Sequence, residues 1–434
     1  MGPLTGTKIV EFAGLGPGPF CGMILADMGA EVIVIDRIEN YGKEKTNDLA
    51  SRGKKSIAID LKNPNSKELV NELIKNADAV LEGLRPGKME NLGFGPDDLL
   101  KINPKLIYGR MTGWGQTGSF ASEAGHDINY IALPGALGSM GTKDIPPVPP
   151  LNLVGDFGGG GMLLALGICA ALVETAKSGK GQVIDAAMTD GSALLMTMMF
   201  GMYSAGQWKD QRESNLLDGA AHFYGCYECK DKKYISIGSI EPQFYASLLE
   251  CMELDVSKFS KQFDQSSWPL LKELISERFK EKTRDEWCDI FFGKDVCFAP
   301  VLSLEESLNY QHNVERKTFI EIAGIKQPAP APRFSRTESE VKHPPLNVGD
   351  NTEEILELTT LEFNLLSTFM SYPGRVWSRT QLIDKLWGND FFGDERVVDT
   401  HVRRLRKKIE PKTANPTFIK TVVGVGYKFE DETN

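Results

Sequence analysis

The sequence predicts an α/β body followed by a C-terminal segment of a different design. Three observations predict it. A strand–helix–strand unit with a Gly-rich turn opens the chain, and a hairpin with amphipathic helices follows from about Asp218. At Leu358 the pattern changes to three short helices and a terminal hairpin. With 434 residues the chain has room for two to three domains and a sizeable core. Charged residues make up 25% and hydrophobic ones 41%, the composition of an ordinary soluble protein. The net charge of −10 is uneven: residues 357–434 hold 12 basic and 11 acidic side chains, leaving 37 and 48, or −11, to the rest. So acidic a body argues against nucleic-acid binding by the body itself.

In chain order, Lys8 to Ala13 reads as a strand, Phe20 to Met28 as a helix and Ala30 to Asp36 as a second buried strand. Asp36 ends the second strand as an acid would in a dinucleotide site. The turn argues otherwise. Pro17 and Pro19 lack the N–H donors a pyrophosphate cradle uses, and the pattern is not GxGxxG. Basic residues then gather where a phosphate-rich ligand would lie: Arg37, Arg52, Lys54, Lys55 and Arg85. Taken singly, each is a solvated charge.

Residues Ala124 to Gly161 look built for chemistry. Gly125-His126-Asp127 opens the stretch, and Asp156 stands before four glycines and the long apolar run Phe157 to Val173. If that run is a helix, Asp156 lies at its positive N-terminal end, where a carboxylate or a developing oxyanion is stabilised. Alone, Asp156 reads as an N-cap and His126 as surface chemistry; together they form a plausible proton-transfer pair.

Ala186 to Gly206 is rich in Met, a soft helix-core pattern on the residues alone. Cys226 and Cys229 sit in a hairpin turning at Lys230-Asp231-Lys232, where strand geometry turns them apart. No second CxxC or nearby His completes a zinc site, and seven cysteines fit a reducing compartment. Helices are expected over Pro269 to Phe279 and Arg284 to Phe292, then an extended, proline-rich strap over 300–356. No basic start followed by an apolar stretch opens the sequence, and Phe157 to Val173 is short for a span, so a buried core helix and a cytoplasmic protein without membrane attachment are expected.

AGHDINYIALPGA at 124–136 and PPVPPLNLVGDFGGGG at 146–161 resemble the active-site segments of α-methylacyl-CoA racemases, in the class III CoA-transferase superfamily. PLTGTKIVEFAGLGPGPF at 3–20, RMTGWGQTG at 110–118, GKGQVIDAAMTDGS at 179–192, IEPQFY at 240–245 and PAPRFSR at 330–336 extend the likeness over roughly 1–350. The resemblance implies a Rossmann-like large domain over 1–200 that binds no nicotinamide, a small α+β domain over 218–299, and a strap returning to the large domain in an interlocked homodimer. It implies racemisation of 2-methylacyl-CoA thioesters with no cofactor, coenzyme A entering as part of the substrate. His126 and Asp156 are the two bases, Glu241 supports the histidine across the dimer interface, and Asp127 is a weaker supporting candidate. Arg37 and Arg85 hold coenzyme A, with Arg52 and Lys88 as further candidates. The family's Arg-Leu-Gly is Asn91-Leu92-Gly93 here, so one phosphate contact is lost or passed to Lys88. The Met-rich stretch becomes a surface over which the acyl chain shifts. A CoA-transferase using Asp156 as nucleophile is the alternative, although transferases generally carry Tyr or Phe where His126 stands.

In the tail, Thr359-x-x-Glu362 reads as a capping box, with Leu361, Leu365 and Phe369 on one face. Helices are expected over Ser378 to Trp387 and Arg396 to Ile409. The last has Val398, Val402, Leu405 and Ile409 as its apolar stripe, with Arg403, Arg404, Arg406 and Lys407 opposite. EFNLL, PGRVWSRTQLIDKLWG, VVDTHVRRLRKKIEP and GVGYKF resemble the winged-helix DNA-binding domain of OmpR-type response regulators, here a partial one. The resemblance places Thr400 and Arg404 near bases and His401, Arg403 and Arg406 near phosphates. The family's leading antiparallel sheet is missing from the sequence, and Val423 holds the wing-tip place of a minor-groove Arg. Weak, salt-sensitive DNA contact is therefore expected, and a body that senses acyl-CoA for a regulator is a third reading.

Overall fold

The structure, a computed structural model, describes residues 2–63, 66–355, 360–388, 394–410 and 416–430. Near-continuous apolar runs such as Val32 to Ile35 make strands buried on both faces, the mark of a parallel sheet. Strands β1 (Lys8–Phe12), β2 (Glu31–Asp36), β3 (Lys55–Ala58), β4 (Ala79–Glu82), β5 (Ile107–Thr112) and β6 (Gln182–Ala187) pair in the order β3-β2-β1-β4-β5-β6, all parallel. This is the strand order of doubly wound folds, in which the order reverses between β1 and β4.

The first helix, α1 (Pro17–Asp27), begins on Pro17, whose missing N–H costs nothing at that position. It is bound to the sheet by buried charge. Lys54 Nζ lies 2.7 Å from Glu11 Oε2 and donates to the Pro19 carbonyl at 2.8 Å. Gly22 makes room, since a Cβ there would stand 2.0 Å from the Glu11 carboxylate. Arg52 is buried in a pair with Asp27 at 2.6 Å, fixing the end of the helix.

The free side of β3 is closed by the strap rather than by another strand. Ser56 N–H donates to Asn351 Oδ1 at 3.0 Å and Ala58 N–H to Thr352 Oγ1 at 3.1 Å. Covering an edge in this way removes a template for unwanted strand pairing.

Two compact units result: Met1–Ala124 with Asp156–Met188 and Pro330–Asn434, and Gly125–Gly155 with Thr189–Ala329. The boundaries drawn from sequence at 200, 218 and 300 do not coincide with these, because residues 125–155 and the first part of the strap belong to the smaller unit. That unit has an antiparallel sheet of β7 (Tyr224–Glu228), β8 (Tyr234–Gly238) and β9 (Phe298–Val301), then a hairpin of β10 (Phe319–Ile322) and β11 (Ile325–Pro328). Helices Trp268–Phe279 and Arg284–Phe291 form where the pattern predicts them, the second capped by Thr283 and Glu286. Cys226 is exposed and Cys229 buried, as strand geometry requires.

His222 is buried in this core with Nε2 2.6 Å from Tyr245 Oη. Burial lowers its pKa from 6.5 to about 4. The unfolded chain therefore binds the extra proton first, so this contribution to stability is complete above about pH 6.5 and is lost as pH falls towards 4. Denaturant midpoints should fall over that interval, and His222→Gln should flatten the dependence. An unchanged slope in the variant counts against it.

The long apolar run forms the helix read from sequence but is buried on one face only, through Leu164 and Ile168. It starts earlier, as π-helical turns over Leu153–Met162, and continues as α2 (Leu163–Ser178), packed on β5 and β6. Together these turns are long and apolar enough to cross a membrane by length and composition. Leu166 and Val173 nevertheless stand exposed, so one face of the helix is uncovered in the single chain. The Met-rich stretch also differs from a helix core: Met198 and Phe200 are exposed.

The tail has α3 (Thr360–Ser371), α4 (Arg379–Leu386) and α5 (Arg396–Ile409) around Leu365, Phe369, Leu382 and Val402. Its sheet has the order β12-β14-β13, from β12 (Val376–Ser378), β13 (Ile419–Val422) and β14 (Gly426–Phe429). Asp399 accepts from Arg379 Nε at 2.7 Å and from the Tyr427 hydroxyl at 2.6 Å, tying α5 to α4 and β14. The capping box at Thr359 lies outside the described residues.

Candidate active site

The reversal between β1 and β4 opens a crevice at the carboxyl ends of the strands, where doubly wound sheets bind ligands. A cleft of about 1030 Å³ occupies it, lined by Gly14 and Leu15 after β1, Arg37 after β2, Asp60 after β3 and Gly83 and Leu84 after β4. The turn after β1 needs glycine, because Gly16 has φ +64°. Asp156 lies over that turn: its Oδ2 is 3.2 Å from where a Cβ on Gly16 would stand.

The glycine run explains how the acid reaches this place. A Cβ on Gly161 would stand 2.7 Å from the Pro17 carbonyl, so the helix approaches the start of α1 only because that residue has no side chain. The Phe157 and Phe20 rings then pack with centroids 4.6 Å apart. Asp156 falls in the first turn of the helix rather than before it, still within reach of its positive end. Wide π turns of this kind often mark functional sites.

The other acid–base candidates belong to the smaller unit. His126 is exposed and precedes the short helix Asp127–Tyr130, with its backbone N–H donating to Asn129 Oδ1 at 3.0 Å. Asp127 is buried against the backbone of Gly155, where a Cβ would meet Asp127 Oδ1 at 2.4 Å. It thus packs beside the residue that precedes Asp156. Glu241 is exposed just before Pro242 at the start of helix Pro242–Cys251.

Of the basic candidates, Arg37 lines the cleft. Arg85 and Lys88 are exposed just beyond Leu84, outside the lining. Arg52 is withdrawn from the set by its buried pairing with Asp27. Lys54 and Lys55 are likewise paired, with Glu11 and with Glu31 and Glu354. Sequence reading missed Lys43, Lys45 and Lys62, which line the cleft. The available signal was the alternating Lys43-Glu44-Lys45 run soon after the second strand. Lys45 faces Asp36 at 3.4 Å, whereas Arg37, Lys43 and Lys62 have no ion pair among the described residues.

A family model described as CoA-transferase family III matches residues 4–352. The chain belongs to this family. Among family III relatives, the α-methylacyl-CoA racemase of Mus musculus is 46% identical over 356 residues, covering 81% of this chain and 92% of the relative. That of Homo sapiens is 44% identical over 358 residues, covering 82% and 92%. The succinyl-CoA:glutarate CoA-transferase of Mus musculus is 30% identical, covering 82% and 86%. Among solved structures, a CaiB/BaiF family protein from Brucella suis aligns with TM-score 0.70 and 25% identity, covering 82% of this chain and 98% of that one. A second model, that of the transcriptional regulatory protein C-terminal domain, matches residues 352–429, in agreement with the winged-helix reading of the tail.

In that tail, Thr400, Arg403, Arg404 and Lys407 are exposed on α5. Two expected phosphate contacts are otherwise engaged. Arg406 is half-buried and donates to the Ile419 carbonyl and to Thr421 Oγ1, stitching α5 to β13. His401 packs its ring on Trp387 with centroids 5.6 Å apart, and burial with the neighbouring Arg404 charge lowers its pKa. The wing tip is Val423, 91% exposed.

Proposed function

We propose that the chain interconverts the two configurations of 2-methylacyl-CoA thioesters by two-base 1,1-proton transfer. The observation that carries this reading is the contrast in similarity: 44–46% identity to racemases against 30% to a transferase, over the same part of the chain. His126 agrees with it.

The thioester carbonyl makes the α-hydrogen acidic. One base takes that proton from one face, and the conjugate acid of the other returns a proton to the opposite face. Asp156 serves one face and His126 the other, with Glu241 as the support of the histidine. The enolate oxygen needs donors, and a helix presents its first N–H groups at its start, here Leu153. Coenzyme A is placed in the cleft, its phosphates met by Arg37, Lys43 and Lys62 and, at the rim, by Arg85 and Lys88. The exposed apolar side chains of α2 and of helix Thr197–Ser204 support a homodimer.

A single-enantiomer 2-methylacyl-CoA incubated in heavy water should epimerise and gain α-deuterium with no acceptor acid and no added cofactor. Turnover that requires a free carboxylic acid and yields a new thioester would establish the transferase instead.

Arg37→Ala should raise KM for the thioester about 10-fold with kcat little changed, the loss of one charge-assisted contact. A change in kcat alone would remove Arg37 from the binding set.

The tail adds weak DNA contact through Thr400, Arg403 and Arg404. With about three cations free to meet phosphates, Arg403, Arg404 and Lys407, affinity for a duplex should fall roughly 30-fold or more between 50 and 200 mM salt. Tight binding that persists at physiological salt with strong sequence preference overturns this.

A further inference from the structure

The tail is joined to the body by more than its linker. Leu366, Ser367 and Met370 of helix α3 share the walls of a small cavity with Ile38, Ala58 and Ile59, and Leu69 of the helix Ser66–Lys75 packs on the tail core. Ile59 lines this cavity and the cleft alike, and Ile38 stands between Arg37 and Glu39, both cleft residues. One wall, built from the ends of β2 and β3, therefore has the tail on one side and the cleft on the other. Arg403, Arg404 and Lys407 of α5 stay exposed in this arrangement.

We propose that a coenzyme A thioester in the cleft and DNA on the tail antagonise one another through this shared wall. The inference rests on the reading of the cleft as the coenzyme A site. Two effects have the same sign. A ligand bridging the segments after β2 and β3 holds Ile38 and Ile59 in place and so favours the docked tail. The docked tail sits beside a body of net charge −11, where DNA approaches against like charge. The ligand's own phosphates add negative charge at the same wall. Linkage is reciprocal, so DNA weakens ligand binding by the same factor.

The test uses the full-length protein and a fluorescent mixed-sequence duplex at low ionic strength, titrated with and without saturating coenzyme A. DNA affinity should fall about 5-fold or more when coenzyme A is present, and coenzyme A affinity should fall equally on saturation with DNA. Leu69→Asp, outside the cleft, undocks the tail: it should keep coenzyme A binding, bind DNA more tightly and lose the dependence. DNA affinity indifferent to coenzyme A, no DNA binding, or an undiminished effect in Leu69→Asp overturns the proposal. The last outcome would mean that coenzyme A competes on the basic helix itself. A protein that binds no coenzyme A overturns instead the reading of the cleft on which the proposal rests.

Discussion

Asp156→Ala and His126→Ala should each lower the racemisation rate by about 10³-fold or more. A positioned acid or base contributes roughly 10²–10⁴-fold, and here a proton must be both taken and given, so neither group can cover for the other. The variants should keep the far-ultraviolet circular dichroism and the unfolding midpoint of the parent, because both side chains lie outside the core. Exchange of the α-hydrogen with heavy water is the finer readout. Losing one base leaves slow exchange from the face the other serves, with retention of configuration. Chiral analysis beside mass spectrometry separates the two. Racemisation surviving at the parental rate in either variant sinks the two-base scheme.

Lys54→Met is expected to be the most damaging change to stability outside the site. It strands the Glu11 carboxylate, whose pKa burial already raises. Removing one partner of a buried pair costs about 3–5 kcal/mol, which corresponds to a fall of roughly 6–20 °C in Tm. A carboxyl with a raised folded pKa favours the native state below its unfolded value and loses that contribution as pH rises. The variant should therefore recover part of its stability as pH is lowered towards 4.5. Adding Glu11→Leu should restore much of the loss, since an apolar pair of similar volume needs no solvation. Thermal unfolding followed at several pH values reads all three effects. A single variant with the parental Tm would show that the pair does not hold the Gly-rich turn.

Much of the fold was legible because periodicity and punctuation carry it locally. The apolar run Val32 to Ile35 became a strand, Arg396–Ile409 became a helix with the predicted boundaries, and the turn at Lys230 to Lys232 joined two strands. What failed depends on partners distant in the chain. Arg52 and Lys54 looked like ligand cations, yet their carboxylates come from Asp27 and Glu11, far earlier in the sequence. Nothing near either residue announces burial. Arg406 reads as one more cation on a basic helix, and only the approach of β13 shows that it serves the Ile419 carbonyl. The cleft lysines were missed for the converse reason. Lys43 and Lys62 lie in loops with no periodicity, and the strand order brings those loops together. The early start of the helix at Leu153 was hidden by proline and glycine, which read as loop until packing against α1 shows why Gly161 has no side chain.

The closing of β3 by the strap has a consequence for how the protein matures during synthesis. Ala58 finds its partner in Thr352, 294 residues later. At roughly 5–20 residues per second, a ribosome needs about 15–60 s to supply it. Through that interval the emerging sheet carries an open edge, its outward amide groups served by water or by whatever else will pair with them. Pairings so distant also slow folding, because the loop must close before it is rewarded. The parallel sheet therefore cannot be closed until the strap has left the exit tunnel. A winged helix encoded after that segment settles only on a wall that has just been sealed.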